Sequence, residues 1–429
     1  MLPLSTRGWL EQTQAQLGGM LPPAAKGPLL TGDLARRDGK PVDVFAYFGV
    51  KPALLRTLWY NWDGIAYSAQ STGERFNVDP APPWPDFEDV WIPVSPDLQL
   101  CGRLGLARGA RGPIVSDCIV LLPGLFGDNT TIRTYDLAAA LRDAGYHVLA
   151  VEQRGHGRTE LRYPDVTYTY GVFEAGDLLA VASWLQKRPD VRETGLIGFC
   201  WGANTALLAA WEADRRPDDA RVSPQLAARL PEHRGERLFR AGVIAFSPAL
   251  HFELLLSKLE RRWALLEDPV AATLGGIVAG RAAQKSYALA SDTNLRELVL
   301  AEAEKSRAYY PGLERDGMEY LRFIDPPDER RGNKLESARM PVLIVQGVDD
   351  PVTPAQGVAD LIAQIHNPAV AGVVLPGGGH CGFAPYARRY YYNLILGFFD
   401  RDRGAAACLE RYFAAMPEPA PDAVLGSAR

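Results

Sequence analysis

TGLIGFCWGANTALLAAWEA, residues 194–213, is the stretch on which the reading of this chain turns. Its first half is a short apolar run of the kind that forms a buried strand. Its second half carries apolar residues at helical spacing. Between them lies GFCWG, Gly198 to Gly202, with no residues left over for a loop. A strand that passes directly into a helix needs a sharp, strained turn, and small residues two positions either side let the two segments approach. Cys200, at the apex, then projects alone. The following helix aims its N-terminus at the sulfur and favours thiolate over thiol. The plainer alternative is a buried cysteine at an ordinary strand end.

The same strand-then-helix alternation extends outward from this point. Upstream, DVWIPVS and LQLCGRLGLA read as two opening strands joined by a turn at 95–97. DCIVLLPG (117–124) is a continuous apolar run, as expected of a strand buried on both faces. A helix over 133–145, a strand over 146–152 and a helix over 173–188 follow. Downstream come AGVIAFSP (241–248), about ninety less regular residues, then MPVLIVQGVDD (340–350) and a helix over 354–366. VAGVVLPG (370–377) and a closing helix around 391–400 complete the pattern. Such alternation predicts an α/β fold with a mostly parallel central sheet covered by helices on both faces. The predicted organisation is an N-terminal extension of unknown role (1–85), a core formed by 86–248 and 340–403, a helical lid insertion (249–339) and a C-terminal tail (404–429). The aromatic segment 45–67 in the extension reads as packing for that region, and its Pro-rich end, DPAPPWPDF, as an extended connector. The charged segment 215–237 reads as a solvated excursion.

Composition bounds what the chain can do. Its 429 residues are 47% hydrophobic and 23% charged, the proportions of a globular protein. Net charge is −5 and no basic block stands out, so nucleic acid is not an expected partner. The five cysteines include no CxxC pair, which argues against a disulfide framework or a zinc ribbon. The N-terminus lacks the pattern of a signal peptide. The weakly polar stretch VAATLGGIVAG (270–280) falls short of the roughly 20 apolar residues of a membrane span. The expectation is a soluble, cytoplasmic protein without a stable membrane span.

Further reactive side chains stand at the ends of later strands. Asp349 and Asp350 follow PVLIVQG, and His380 lies in GGGHCGF just after VAGVVLP. A nucleophile needs a base within reach, and that base needs a carboxylate to fix its tautomer. His380 fits the base. Asp350, three residues after Gly347, fits the carboxylate better than Asp349, which suits a capping role. The loop PGLFGDN (123–129) leaves the strand before the first large helix, where a backbone N–H can face developing negative charge. Leu125, with Phe126 second, and Trp201 are the candidate donors, and Phe126 is a candidate substrate contact. Asp128 and Asn129 read as turn residues. His380 and Cys381 are adjacent, point apart and lack a third ligand nearby, so no metal site is expected.

From about residue 89 to 400 the chain resembles the α/β-hydrolase superfamily. PGLFGDN, EQRGHGRT (152–159), GFCWGAN, GVDDPVTP (347–354) and GGGHCGFA (377–384) stand where that superfamily places its landmarks. GFCWGAN and GGGHCGF are most similar to the YheT-like branch of medium-chain esterases and acyltransferases, which carries GFSxGGN and GGHxGF. Two positions depart from that pattern: Cys200 replaces serine and Ala203 replaces glycine. A cysteine in this turn is itself familiar from dienelactone hydrolases and polyhydroxyalkanoate synthases. The resemblance implies a Cys200–His380–Asp350 triad that cleaves a lipophilic ester, thioester or lactone through an acyl-thioenzyme, without metal or organic cofactor. An acyltransferase or polyester-synthase-like enzyme is the second expectation, and a non-catalytic binding protein of the same fold the third.

Overall fold

The computed structural model describes residues 5–22, 36–37, 40–41, 68, 83–110, 112–125, 127–129, 132–216, 218–230, 238–252, 295–306, 309–324 and 333–401. The candidate Phe126, the aromatic segment 45–67, the apolar stretch 270–280, the tail 404–429 and most of the expected insertion lie outside these residues.

Eight strands form the main sheet: β1 (Glu88–Ser95), β2 (Leu98–Gly105), β3 (Ser116–Leu122), β4 (His147–Glu152), β5 (Val191–Phe199), β6 (Gly242–Phe246), β7 (Val342–Gly347) and β8 (Val370–Leu375). Their spatial order is β8-β7-β6-β5-β3-β4-β2-β1. All pairings from β4 to β8 are parallel, whereas β2 runs antiparallel to both β1 and β4. The sequence accounts for this directly. β1 and β2 are joined by a two-residue turn and pair as a hairpin, while every later strand is separated from the next by a crossover long enough to hold a helix.

The crossovers are α2 (Ile132–Asp143), α3 (Glu174–Gln186), α4 (Trp201–Asp214), α7 (Gln356–Gln364) and, closing the chain's core, α8 (Phe383–Phe399). Two further helices, α5 (Leu295–Lys305) and α6 (Leu313–Leu321), belong to the stretch between β6 and β7. Residues of the central strands sort by period two onto opposite faces. Cys118, Val120 and Leu122 of β3 join one apolar layer with α3 and α4. Ile119 and Leu121 join the other, with α2 and α8. All seven residues of β3 are buried, and from Cys118 to Leu122 the strand is apolar at every position, as covering on both faces favours.

Between β3 and β5 the winding reverses, because α2 leads to β4 on one side of β3 and α3 leads back to β5 on the other. Loops leaving neighbouring strands diverge at such a point and open a crevice at the carboxyl end of the sheet. The end of β3 and the end of β5 flank it.

Two regions differ from expectation, and the N-terminal residues, for which the sequence predicts no role, supply a helix. The N-terminal residues contain α1 (Thr6–Leu17), which packs into the core layer of α8. Trp9 is buried and meets Phe398 edge-on at 5.6 Å. The Arg7 side chain donates to the carbonyl of Val370 at 3.1 Å. Residues 83–87 do not run as an extended connector: Trp84 is buried, touches Phe87 and Tyr135 edge-on, and lies under the Arg103 guanidinium. Nor is the described part of 215–237 a solvated excursion. Val222, Leu226 and Leu230 are buried there, and Arg221, paired with Asp219, lies over the Trp211 ring. Charged heads at the rim with apolar residues beneath explain why composition alone misled. A smaller difference concerns α8, which begins at Phe383 and bends at Ala387. Pro385 falls in its first turn, where a missing N–H is tolerated.

Trp9→Ala is expected to destabilise the fold by about 3–5 kcal/mol, the usual range for removing a buried aromatic. A fall in the chemical-denaturation midpoint checks this. An unchanged midpoint would show that α1 is not part of the core.

Candidate active site

Strand β5 ends at Phe199 and α4 begins at Trp201, leaving Cys200 as the whole connection. Its backbone sits at φ 54° and ψ −122°, a strained conformation for a residue with a side chain. Crowding shows why glycine flanks it. A Cβ at residue 198 would lie 2.3 Å from the Gly202 carbonyl oxygen, and one at residue 202 would lie 2.1 Å from the Pro123 carbonyl oxygen. Gly124 is also close, since a Cβ there would meet the Cys200 Cβ at 3.0 Å. The cysteine is thus wedged between the start of α4 and the loop after β3. Its own N–H is held by the Phe246 carbonyl at 2.9 Å.

The structure brings His380 and Asp350 to this sulfur. The His380 side chain hydrogen-bonds Cys200, and the main-chain N–H groups of Leu125 and Trp201 also donate to the sulfur. On its other side, His380 Nδ1 lies 3.1 and 3.0 Å from the two Asp350 oxygens. The Asp350 side chain has no solvent exposure, yet it is fully partnered. Val352 N–H and Thr353 N–H donate to Oδ1 at 2.8 and 2.9 Å, and Gln346 Nε2 and Thr353 Oγ1 each donate to Oδ2 at 2.8 Å.

These contacts set the charges. Burial raises the Asp350 carboxyl, but His380 and the Thr353 donors outweigh it and leave it below the ordinary aspartate value. Burial pulls the His380 imidazole down, and the Asp350 carboxylate reverses this and holds it well above its ordinary value. Burial also pushes the Cys200 thiol up, and the His380 cation together with the three hydrogen bonds brings it below the ordinary thiol value. All three shifts run in the same sense, each favouring the charged form of its group.

Asp349 behaves oppositely. It faces the histidine loop by accepting from Gly379 N–H at 2.8 Å, its second oxygen is buried without a hydrogen-bond partner, and burial raises its pKa. His156 lies apart from the pair, with Nδ1 2.9 Å from the Arg154 carbonyl and its ring edge-on to Tyr168. Asn129 spans the loop after β3 to the Ala150 carbonyl at 3.2 Å. No cluster of three or more metal-ligating side chains occurs among the described residues.

Several supports escaped the sequence reading. Ser247 sits at φ +51° just after β6, where its Oγ accepts from Cys381 N–H at 3.1 Å and its N–H reaches the Val345 carbonyl. It thereby ties the histidine loop to the end of β6. Thr353 and Gln346 orient the carboxylate, as above. Ser68, from the N-terminal region, accepts from the His380 N–H at 2.6 Å. Thr353 follows Asp350 closely enough to be suspected as a turn donor, but Ser247 and Ser68 carry no motif.

The alpha/beta hydrolase family model matches residues 119–391, well over half of the chain. Comparison with curated proteins finds no match. Among solved structures, the esterase Pf2001 of Pyrococcus furiosus is 16% identical, with 73% of this chain and 92% of that one covered at a TM-score of 0.45. Est1E from Butyrivibrio proteoclasticus, solved with ferulic acid, is 16% identical over 76% and 98% of the two chains, at 0.43. The acylaminoacyl peptidase of Pyrococcus horikoshii is 14% identical over 73% and 41%, at 0.45. The matched span runs from inside β3 to inside α8 and takes in the sheet's reversal point, the strained turn and the loops that carry Asp350 and His380. This chain belongs to the alpha/beta hydrolase family.

Proposed function

We propose that the protein hydrolyses a carboxylic ester, thioester or lactone of a lipophilic acid through a covalent thioester on Cys200. The observation that carries this reading is the convergence on one sulfur of an imidazole, two main-chain N–H groups and a helix N-terminus. In the first half-reaction the thiolate attacks the carbonyl carbon, and the Leu125 and Trp201 N–H groups take the oxyanion. His380 passes its proton to the departing alkoxide, which leaves as alcohol. In the second half, neutral His380 removes a proton from water, hydroxide adds to the thioester, and collapse expels the thiolate and releases the acid. Asp350 keeps the imidazole oriented and stabilises its charged form throughout.

The apolar side chains of Leu125 and Val352, which are only partly buried and pack against the core beside this point, suit a lipophilic acyl group. A binding scaffold would be more stable with apolar residues in place of a buried, ionised triad, which disfavours the non-catalytic alternative. Kinship with the YheT-like branch rests on the GFCWGAN and GGGHCGF loops alone.

Incubation with a short-chain nitrophenyl ester, quenched in acid, is expected to add one acyl mass to the protein. Cys200→Ala should abolish that adduct and lower turnover by at least about 10⁴-fold. Normal turnover in Cys200→Ala would overturn the reading. With an added alcohol, ester formation exceeding hydrolysis would reassign the enzyme as an acyltransferase.

Acid–base behaviour gives a second test. Thiolate formation sets the acid limb of kcat/KM, and the lowered thiol pKa places it below the ordinary value near 8.5. Loss of the imidazolium sets the alkaline limb, which the raised His380 pKa places above 6.5. Asp350→Asn removes the carboxylate, so the imidazole pKa falls, the thiol loses its counter-charge and rises, and the acid limb moves to higher pH. The rate should fall on the order of 10³–10⁴-fold, whereas Asp349→Asn should leave both limbs in place. Equal effects of the two substitutions, measured as pH–rate profiles, would overturn the assignment of Asp350.

A further inference from the structure

Helix α5 carries a carboxylate where its pattern calls for an apolar side chain. Leu298 is fully buried, and Glu302, one helical turn later on the same face, is also at 0% exposure. A leucine at that position would be the more stable choice unless the carboxylate has a specific task.

Its partner points to one. The Tyr170 hydroxyl donates to Glu302 Oε2 at 3.2 Å. The Tyr170 carbonyl accepts from the Trp201 indole N–H at 2.6 Å, and the two rings meet edge-on at 5.9 Å. Trp201 is the residue whose main-chain N–H donates to the Cys200 sulfur. Tyr170 itself lies at φ +56°, a left-handed conformation that a non-glycine residue keeps only when its surroundings hold it. From the core side it is held by Glu174, which accepts from Thr169 N–H, Thr169 Oγ1 and Gly171 N–H, each at 2.7 Å. From the opposite side it is held by Glu302.

The geometry points to Glu302, in the stretch between β6 and β7, and Tyr170, in the loop before α3, as positioning residues that set the oxyanion donor of Trp201. The inference rests on the proposed acyl-thioenzyme chemistry and adds to it the element that aligns one of its two donors. The hydrogen bond to the buried carboxyl fixes the tyrosine, the tyrosine carbonyl fixes the indole, and the indole sets the rotation of the first peptide of α4. Neither residue is among the groups that act on the Cys200 thiol, and they reach it only through the Trp201 N–H, the smallest of the causes that lower it. Their effect therefore falls chiefly on the step in which an oxyanion forms.

The test compares two reactions of Cys200 in the full chain. Alkylation by iodoacetamide needs a thiolate but forms no oxyanion, whereas acylation by a nitrophenyl ester needs both. Tyr170→Phe and Glu302→Leu are expected to slow acylation at least about 10-fold, with KM nearly unchanged, within the 10²–10³-fold loss typical of removing a donor outright. Alkylation should stay within twofold and the unfolding midpoint should be retained. Glu302→Gln keeps an acceptor oxygen and should recover most of the acylation rate. The double variant Tyr170→Phe/Glu302→Leu should lose no more than either single one, as expected of two residues in one chain of contacts. Unchanged acylation in both single variants, a parallel loss of alkylation, or multiplying losses in the double variant would each overturn the inference. Failure of the unsubstituted protein to acylate at all would overturn the hydrolase reading, and this inference with it.

Discussion

The close approach of three backbone segments around Cys200 is the constraint from which the rest follows. A residue with a side chain adopts φ 54°, ψ −122° at a cost of order 1–3 kcal/mol, and does so only where neighbours leave no alternative. Here β5, α4 and the loop after β3 meet so tightly that no Cβ fits at positions 198 and 202. Because β5 lies between β3 and β6, that turn also fixes what surrounds the sulfur. The loop after β3 brings the Leu125 N–H, β6 brings the carbonyl of Phe246, and β7 and β8 beyond it bring the carboxylate and the imidazole.

Two consecutive aspartates illustrate how finely environment separates chemically identical groups. Asp350 is as deeply enclosed as Asp349, yet its pKa moves down while that of Asp349 moves up. The difference is the supply of donors. Asp350 receives hydrogen bonds from Gln346, Val352, Thr353 and His380, whereas one oxygen of Asp349 has none. Desolvation acts on both, and only one is compensated. The sulfur follows the same rule, its burial offset by the His380 side chain and two amides. With the histidine between a carboxyl and a thiol, the charged form of each group favours that of the next.

Much of this arrangement was legible before any coordinates. Strands such as β3 and β7 announce themselves by the apolar runs 118–122 and 342–345, because a strand covered on both faces favours apolar side chains at successive positions. The GFCWG turn is legible for a related reason: its steric demand is local, so it leaves a local trace. Asp350 and His380 stand at strand ends, which alternation alone reveals. Ser247 and Ser68 left no such trace. Their roles depend on contacts made 134 and 312 residues away, and a serine has no spacing of its own. Tyr170 and Glu302 are 132 residues apart and meet only once the sheet has closed. The 215–237 segment misled for the opposite reason, since its charged residues are many but its three buried aliphatic ones carry the packing.

Helix α1 has a consequence for how the molecule is made. Its Arg7 and the Val370 carbonyl it engages are 363 positions apart, and Trp9 rests on Phe398 of the last helix. On the ribosome, the apolar side of α1 therefore emerges long before the surface that covers it exists. At about 5–20 residues per second, translation leaves that side exposed for roughly 20–70 s, a period in which a nascent chain is open to chaperones and to wrong partners. Attachment of α1 is thus a late event in biosynthesis, completed after the polypeptide that forms β8 and α8 has left the exit tunnel.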